Sequence, residues 1–222
     1  MAINDNLTEP TRDVANTANL PNWSAERQFY GRFYLSQGFS EAKKFTNDCG
    51  PASLAMVLNL LLFQANLGIA SLGKNVVIRS SGLLPFDRIP AWVPKFGGAT
   101  APWGLTKAFN RWAQKLELDW HADRRSKARR AHIIEQLVTG RPVTALKIWK
   151  TGGAHWVNLV RYAAEKNKVY YLDPNPYFEH LAEDKRIQSQ SWEEFEMDWN
   201  RTAWWSTLLG IKNEIIIYSR TV

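Results

Sequence analysis

The clearest pattern of apolar residues in the chain predicts one helix that is apolar on nearly every side. Leu54, Val57, Leu58, Leu61 and Leu62 recur at helical spacing. Most positions between them are also apolar, which is typical of a helix buried in a core. The run is about half as long as a membrane-spanning helix requires. We therefore expect no segment of the chain to cross a membrane.

Polar residues before this run indicate where the helix begins. Asn47 and Asp48 are good N-cap residues, and Pro51 is tolerated in a first helical turn. Cys49 therefore lies at the N-terminus of a buried helix, and only the first turn of that helix is expected to reach a cleft.

The spacing of apolar residues changes after the Gly-Arg-Pro turn at residues 140–142. Two helices are predicted before it, around LTKAFNRWAQKL and around ARRAHIIEQLVTG, and the second ends at Gly140. Four short apolar runs follow, each bounded by turn or charged residues: VTALKIW, HWVNLVRY, KVYYLD and EIIIYS. Helices followed by strands that pair in sequence as antiparallel neighbours predict an α+β domain.

The N-terminal part of the chain has weaker patterns. Residues 1–24 are polar and without periodicity, and we interpret them as a tail before a single domain over residues 25–222. The aromatic segment RQFYGRFYLSQG predicts a strand, and the polar segment FSEAKKFTND predicts a loop. Residues 66–104 are rich in Gly and Pro and predict short elements and loops.

Composition narrows the functional classes. The 222 residues are 45% hydrophobic with a formal net charge of +7, which suits a globular protein. The single cysteine excludes an internal disulfide framework and a Cys-rich zinc site. His121, His132 and His180 share no ligand spacing with one another or with that cysteine, so we expect no metal and no cofactor. The N-terminus lacks the basic start and apolar stretch of a secretory signal, so we expect a cytoplasmic protein.

Cys49, His155 and Asp173 are the candidate catalytic residues. The thiolate is the nucleophilic form of cysteine, and the partial positive charge of a helix N-terminus favours it. His155 follows a glycine-rich turn at the start of one predicted strand, and Asp173 closes the next. Because the start of an antiparallel strand lies beside the end of the following one, we expect the imidazole and the carboxylate to be neighbours. A thiol nucleophile requires such an oriented base.

These residues lie in segments that resemble a known family. NDCGPASLAMVLNLL is similar to the nucleophile helix of papain-like cysteine peptidases of the bacteriocin-leader (double-glycine) processing type. GGAHWVNLVRY and VYYLDPNP are similar to the histidine and acidic strands of that family, and the resemblance covers residues 30–220. It implies a papain-like fold, with the buried nucleophile helix packed on an antiparallel sheet. It also implies a bacterial thiol protease that hydrolyses a peptide or protein substrate through a Cys-His-Asp triad.

The same resemblance implies a fourth catalytic residue. In that family a glutamine, commonly about six residues before the cysteine, donates a hydrogen bond to the oxyanion. Lys43 occupies that position here, and Gln37 in YLSQG is the nearest substitute. The backbone N–H of Cys49, together with Asn47, is the alternative donor.

Other functions stay open at this point. Acyl transfer to an amine would use the same thioester, and a catalytically silent peptide-binding domain would keep the fold, although the presence of Cys49 argues against that loss. A nucleic-acid binder would depend on the basic run DRRSKARR at residues 123–130. That run carries no nucleic-acid motif and is typical of a solvated helix start, so we expect no nucleic acid partner. The sequence does not determine the oligomeric state.

Overall fold

The structure, a computed structural model, describes residues 23–38, 47–65 and 99–221. The helices are α1 (Trp23–Gly31), α2 (Cys49–Gln64), α3 (Pro102–Lys115), α4 (Arg130–Val138), α5 (Trp192–Trp199) and α6 (Trp204–Leu208). The strands are β1 (Trp120–Arg125), β2 (Val143–Ile148), β3 (Ala154–Ala163), β4 (Lys168–Leu172), β5 (Ile187–Ser191) and β6 (Ile215–Arg220).

These six strands form one antiparallel sheet in the order β1-β6-β2-β3-β4-β5. Successive residues of β2 face opposite sides of it. Val143 and Ala145 belong to the cluster that contains α4 and α5, whereas Leu146 and Ile148 belong to the cluster that contains α2 and α3. Helices therefore cover both faces at the centre of the sheet, which explains why all six residues of β2 are buried.

The main elements predicted from periodicity are confirmed. Helix α2 begins at Cys49, and α3 and α4 occupy the two further segments that were predicted as helices. Gly140, with φ of +73°, follows α4 as a C-terminal glycine does. The four predicted strands correspond to β2, β3, β4 and β6. The prediction of an α+β domain is therefore correct.

The predicted strand in RQFYGRFYLSQG is wrong, because its first half is the end of α1. Aromatic residues favour strands in general, but here they are spaced to pack one helical face onto the rest of the domain. Phe29 packs against Phe63 at a ring-centroid distance of 5.6 Å, and Trp23 packs against Tyr170 at 4.3 Å. Helix α1 begins two residues before the predicted start of the domain, and the remaining predicted tail, residues 1–22, lies outside the described residues.

The basic run at residues 123–130 is only partly a helix start. Its first residues complete β1, and α4 begins at Arg130. Strand β1 lies at an edge of the sheet, where charged side chains are tolerated because they face solvent. The other edge strand, β5, was also not predicted, since its sequence IQSQS lacks an apolar alternation. Both errors have the same cause: an edge strand needs little apolar surface.

Candidate active site

Cys49 is the first residue of α2, directly after the N-cap residue Asp48. The backbone carbonyl of Asp48 accepts a hydrogen bond from the N–H of Ala52 at 2.9 Å, which closes the first helical turn. The next residue, Gly50, allows a close approach, because a Cβ built there would lie 2.8 Å from Cβ of Thr100. The first turn of α2 is therefore tightly enclosed, and only 7% of Cys49 is exposed.

Hydrogen bonds between buried groups join α2 to β3. Asn158 Nδ2 donates to the carbonyl of Ser53 at 2.9 Å, and the hydroxyl of Ser53 donates to the carbonyl of Trp156 at 3.2 Å. Trp156 Nε1 in turn donates to the carbonyl of Thr100 at 3.0 Å. These bonds fix the start of β3, and therefore His155, relative to the first turn of α2.

His155 and Asp173 form a short contact at the ends of two neighbouring strands. His155 Nε2 lies 2.6 Å from Asp173 Oδ1. The register pairs Asn158 with Leu172, so the start of β3 runs beside the end of β4 as antiparallel pairing requires. Asp173 Oδ1 also accepts the N–H of Asn175 at 2.9 Å, which orients the carboxylate.

The imidazole of His155 is placed between two groups that favour its charged form. Burial alone would lower the pKa of His155, but hydrogen bonds to Asp173 and Cys49, and the negative charges of these two groups, raise its pKa to about 10. Because Nε2 is occupied by Asp173, Nδ1 is the ring nitrogen that remains for the sulfur. Cys49, His155 and Asp173 therefore converge at one point.

Trp149 is a neighbour of this point that the sequence patterns did not single out. Its ring stacks on the imidazole of His155, with a centroid distance of 5.5 Å and an interplanar angle of 22°. It lies just after β2, on the turn that joins β2 to β3, and 44% of it is exposed. The sequence did contain a signal for this contact: Trp149 comes just before the glycine-rich turn that precedes His155.

Gln37 lies beside the turn that follows Asp173. Its backbone N–H donates to the carbonyl of Pro174 at 2.7 Å, and only 5% of the residue is exposed. Tyr34, from the same segment, donates its hydroxyl to the carbonyl of Asn175 at 2.7 Å. Asn47, the alternative donor, lies two residues before Cys49 and is exposed. Lys43 is outside the described residues, and the oxyanion donor stays a prediction.

The remaining histidines and the basic run do not join this point. His121 lies 3.3 Å from Asp123, His132 accepts the backbone N–H of Arg129 at 3.1 Å, and His180 is exposed. Across residues 23–38, 47–65 and 99–221, no group of three or more His, Cys, Asp or Glu side chains is arranged to hold a metal ion.

Two arginines of the basic run form hydrogen bonds to other side chains of the domain. Arg124 forms two hydrogen bonds to the buried carboxylate of Glu214, at 2.8 and 2.7 Å. Arg130 donates to Tyr162 and to Asn167. In the part of the chain that the structure describes, no helix is long and apolar enough to cross a membrane.

Comparison with known structures shows the fold. The peptidase domain of Streptococcus ComA, a bi-functional ABC transporter involved in a quorum-sensing pathway, matches with a TM-score of 0.50 and 16% identity, over 85% of this chain and 98% of that one. A candidate C39-like peptidase from Bacillus anthracis matches with a TM-score of 0.51 and 15% identity, over 84% of this chain and 94% of that one. The predicted papain-like fold is thereby confirmed.

Comparison with sequence families shows where the chain belongs. No curated protein matches it significantly. The model of the Peptidase C39-like family, however, matches residues 33–204, a range that contains Gln37, Cys49, His155 and Asp173. The resemblance stated from the sequence motifs is therefore correct, and the chain belongs to the Peptidase C39-like family.

Proposed function

We propose that the protein is a cysteine peptidase that hydrolyses peptide bonds through Cys49, His155 and Asp173. The observation that carries the proposal is the imidazole of His155, which lies 2.6 Å from the Asp173 carboxylate while Cys49, on its other side, helps to raise its pKa. Family membership and the papain-like fold support a peptidase of this type in general.

Acylation is the first half of the proposed reaction. The Cys49 thiolate attacks the carbonyl carbon of the scissile bond, which forms the S–C bond and an oxyanion. As the C–N bond breaks, the His155 imidazolium gives its proton to the leaving amine. Asp173 keeps the imidazole oriented and favours its charged form. The products of this half are a free amine and a thioester on Cys49.

Deacylation regenerates the enzyme. A water molecule attacks the thioester carbonyl while the His155 imidazole takes its proton. The C–S bond then breaks, the acid product leaves, and Cys49 returns to the thiolate beside the imidazolium. In both halves the oxyanion needs a donor, and we assign this role to Gln37, with the Cys49 N–H and Asn47 as the alternative.

A labelling experiment tests the nucleophile directly. Cys49 is the only cysteine of the chain, so an electrophilic, peptide-like cysteine probe has one possible thiol target. We expect one adduct per chain, mapped by mass spectrometry to the peptide that contains Cys49, and much slower labelling of His155→Ala. Cys49→Ser is the matched control without a thiol. Labelling of the wild type no faster than that of His155→Ala would contradict an activated nucleophile.

Product analysis separates hydrolysis from its rivals. A peptide with Gly-Gly before the scissile bond is the first substrate to test, because the resembled family processes double-glycine leaders. We expect an acid product in the absence and in the presence of an added amine. Formation of the amide as the main product would favour acyl transfer instead. Binding of the peptide without turnover by a protein whose Cys49 is intact would favour a silent binding domain.

A further inference from the structure

The indole of Trp149 is held in one place by the tip of the β2–β3 hairpin. The backbone N–H of Trp149 donates to the carbonyl of Gly153 at 2.7 Å, and the N–H of Gly152 donates to the carbonyl of Trp149 at 2.9 Å. Gly152 has φ of +80°, which glycine adopts without strain. Trp205 Nε1 donates to the carbonyl of Gly152 at 2.9 Å and so ties the tip to helix α6.

Gly153 provides the space that the indole occupies. A Cβ built on Gly153 would lie 2.4 Å from a carbon of the Trp149 six-membered ring, far inside van der Waals contact. The ring therefore packs against the bare backbone of Gly153 and stacks on the imidazole of His155. A surface fixed in this way loses little conformational entropy when a ligand binds to it.

The chemistry of the proposed reaction brings the substrate to this indole. His155 must protonate the leaving amine, so that amine comes within hydrogen-bond distance of the imidazole. The residue that carries the amine is the first one after the scissile bond. Because Trp149 stacks on the same imidazole and 44% of it is exposed, we expect the side chain of that substrate residue to lie next to the indole.

The character of this surface favours one class of side chain. An indole face packs well against apolar and aromatic groups. A basic side chain in the same position would approach the charged imidazolium of His155 and be repelled by it. We propose that Trp149 is a specificity-determining residue that selects an apolar or aromatic side chain directly after the scissile bond. This inference rests on the proposed peptidase function.

A proteome-derived peptide library provides the test. The enzyme is incubated with the library, and the residue at each new N-terminus, which is the first after the cut, is identified by mass spectrometry. For the wild type we expect apolar and aromatic residues to be enriched about two- to tenfold over basic ones, as one aromatic contact allows. Trp149→Phe should keep much of the enrichment, and Trp149→Ala should lose it.

Two further variants separate the indole from general effects. Gly153→Ala leaves Trp149 in the chain but displaces its ring, and we expect it to lose the enrichment as Trp149→Ala does. Val138→Ala is the control, because it removes an exposed apolar side chain at the end of α4, which precedes the start of β2, whereas Trp149 follows the end of β2. This variant should keep the wild-type enrichment. Each enrichment is a ratio between residues at new N-termini that the same variant produced. A general loss of activity therefore affects both terms equally and leaves the ratio unchanged.

The failures of the two proposals look different. If the wild type cuts peptides without preference after the cut, or if Trp149→Ala keeps the wild-type preference, Trp149 does not select the substrate and this inference is overturned. A wild type that cuts no peptide, and whose Cys49 labels no faster than in His155→Ala, contradicts the peptidase function and this inference with it.

Discussion

Cys49 and its proposed base, His155, are held in place by different kinds of contact. Cys49 begins a helix whose residues 49–62 are all buried, so the thiol is positioned by the packing of the core. His155 lies at the start of β3, which buried hydrogen bonds fix to α2, and Asp173 directly follows β4. Single hydrogen bonds and one ring stack then orient the imidazole and the carboxylate. The proposed nucleophile therefore depends on the folding of the domain as a whole, whereas the orientation of the proposed base also depends on a few separable contacts.

This difference predicts how substitutions will behave. A change in the core around α2 removes apolar contacts shared by the whole domain, so it lowers the free energy of unfolding. A change in the turns around His155 and Asp173 affects one or two hydrogen bonds or ring contacts, so it lowers kcat while the domain stays folded. The five predictions below compare the two regions.

Asp173→Asn should have the largest effect on catalysis. The amide keeps an oxygen for the N–H of Asn175 but removes the negative charge that orients and charges His155. We expect kcat to fall by about 10³- to 10⁴-fold, as in other triads that lose this charge, with little change in thermal stability. Asp184→Asn, which removes one charge from a surface ion pair with Lys185 at 3.2 Å, is the control. A loss of activity under tenfold would show that the reaction does not require the negative charge of Asp173.

Leu58→Ala should have the opposite profile. Leu58 is fully buried in the core cluster that contains α2. Its truncation leaves a cavity, and we expect the free energy of unfolding to fall by about 2–5 kcal/mol, measured by urea titration, with kcat of the folded fraction unchanged. Leu208→Ala, at a leucine that is 66% exposed, should change the free energy of unfolding by less than about 0.5 kcal/mol. A large loss of kcat in folded Leu58→Ala would contradict the separation of the two regions.

Gln37→Ala tests the segment that lies between the two regions. If Gln37 stabilises the oxyanion, its loss acts mainly in the transition state, so we expect kcat to fall by about a hundred- to thousandfold with little change in KM. Steady-state kinetics on a cleavable peptide measures both constants. Unchanged turnover would leave the Cys49 N–H and Asn47 as the donors.

The sequence predicted the nucleophile side more completely than the base side. Helix α2 has a strong signal, because capping residues are followed by a long apolar run, and its start at Cys49 follows from both. Strands β2, β3, β4 and β6 were predicted because central strands are apolar. The order of His155 and Asp173 along two paired strands was enough to expect their contact, since antiparallel pairing fixes the neighbours.

The contacts that complete the base side were not predictable in the same way. The stack of Trp149 on His155 depends on the conformation of the turn between them, which neither periodicity nor spacing encodes. The link from Gln37 to Pro174 joins two segments that are distant in sequence. Strand β5 lacks an apolar alternation, and β1 keeps one only over its first residues, because both strands are edges. Tertiary contacts, rather than local propensity, determine all of these features.

The pH dependence of kcat/KM tests the electrostatics of the base side. The pKa of His155 is raised from an ordinary value near ~6.5 to about 10, so the imidazolium persists through neutral pH. We expect the alkaline limb of kcat/KM to lie far above pH ~7, because acylation needs the imidazolium. The stabilisation that Asp173 provides is fully present below pH ~6.5 and is lost as the pH rises through about 10. Asp173→Asn should move the limb to lower pH, and a wild-type limb near pH ~7 would contradict this assignment.

The smallest predicted effects come from one chemical change made in each region, the removal of a tyrosine hydroxyl. Tyr218 is fully buried, and its hydroxyl lies 2.7 Å from Thr144 Oγ1. Thr144 Oγ1 donates in turn to Asn158 Oδ1 at 2.7 Å, and Asn158 is the residue that bonds to Ser53 of α2. Tyr34 OH donates at 2.7 Å to the carbonyl of Asn175 in the turn after Asp173.

Both substitutions to Phe preserve the ring, so they differ only in which contact is lost. Tyr218→Phe removes the hydroxyl that bonds to the buried oxygen of Thr144, which keeps its bond to Asn158, and we expect the free energy of unfolding to fall by about 1–3 kcal/mol with kcat unchanged. Tyr34→Phe removes a partly exposed bond, so the loss should be about 0.5–1.5 kcal/mol. Because the turn that carries Asp173 becomes looser, kcat should also fall. Urea titration and steady-state kinetics on both variants give the comparison. If Tyr218→Phe lowered kcat more than Tyr34→Phe did, core packing would position the base as well as the nucleophile, and the two regions would not be separable.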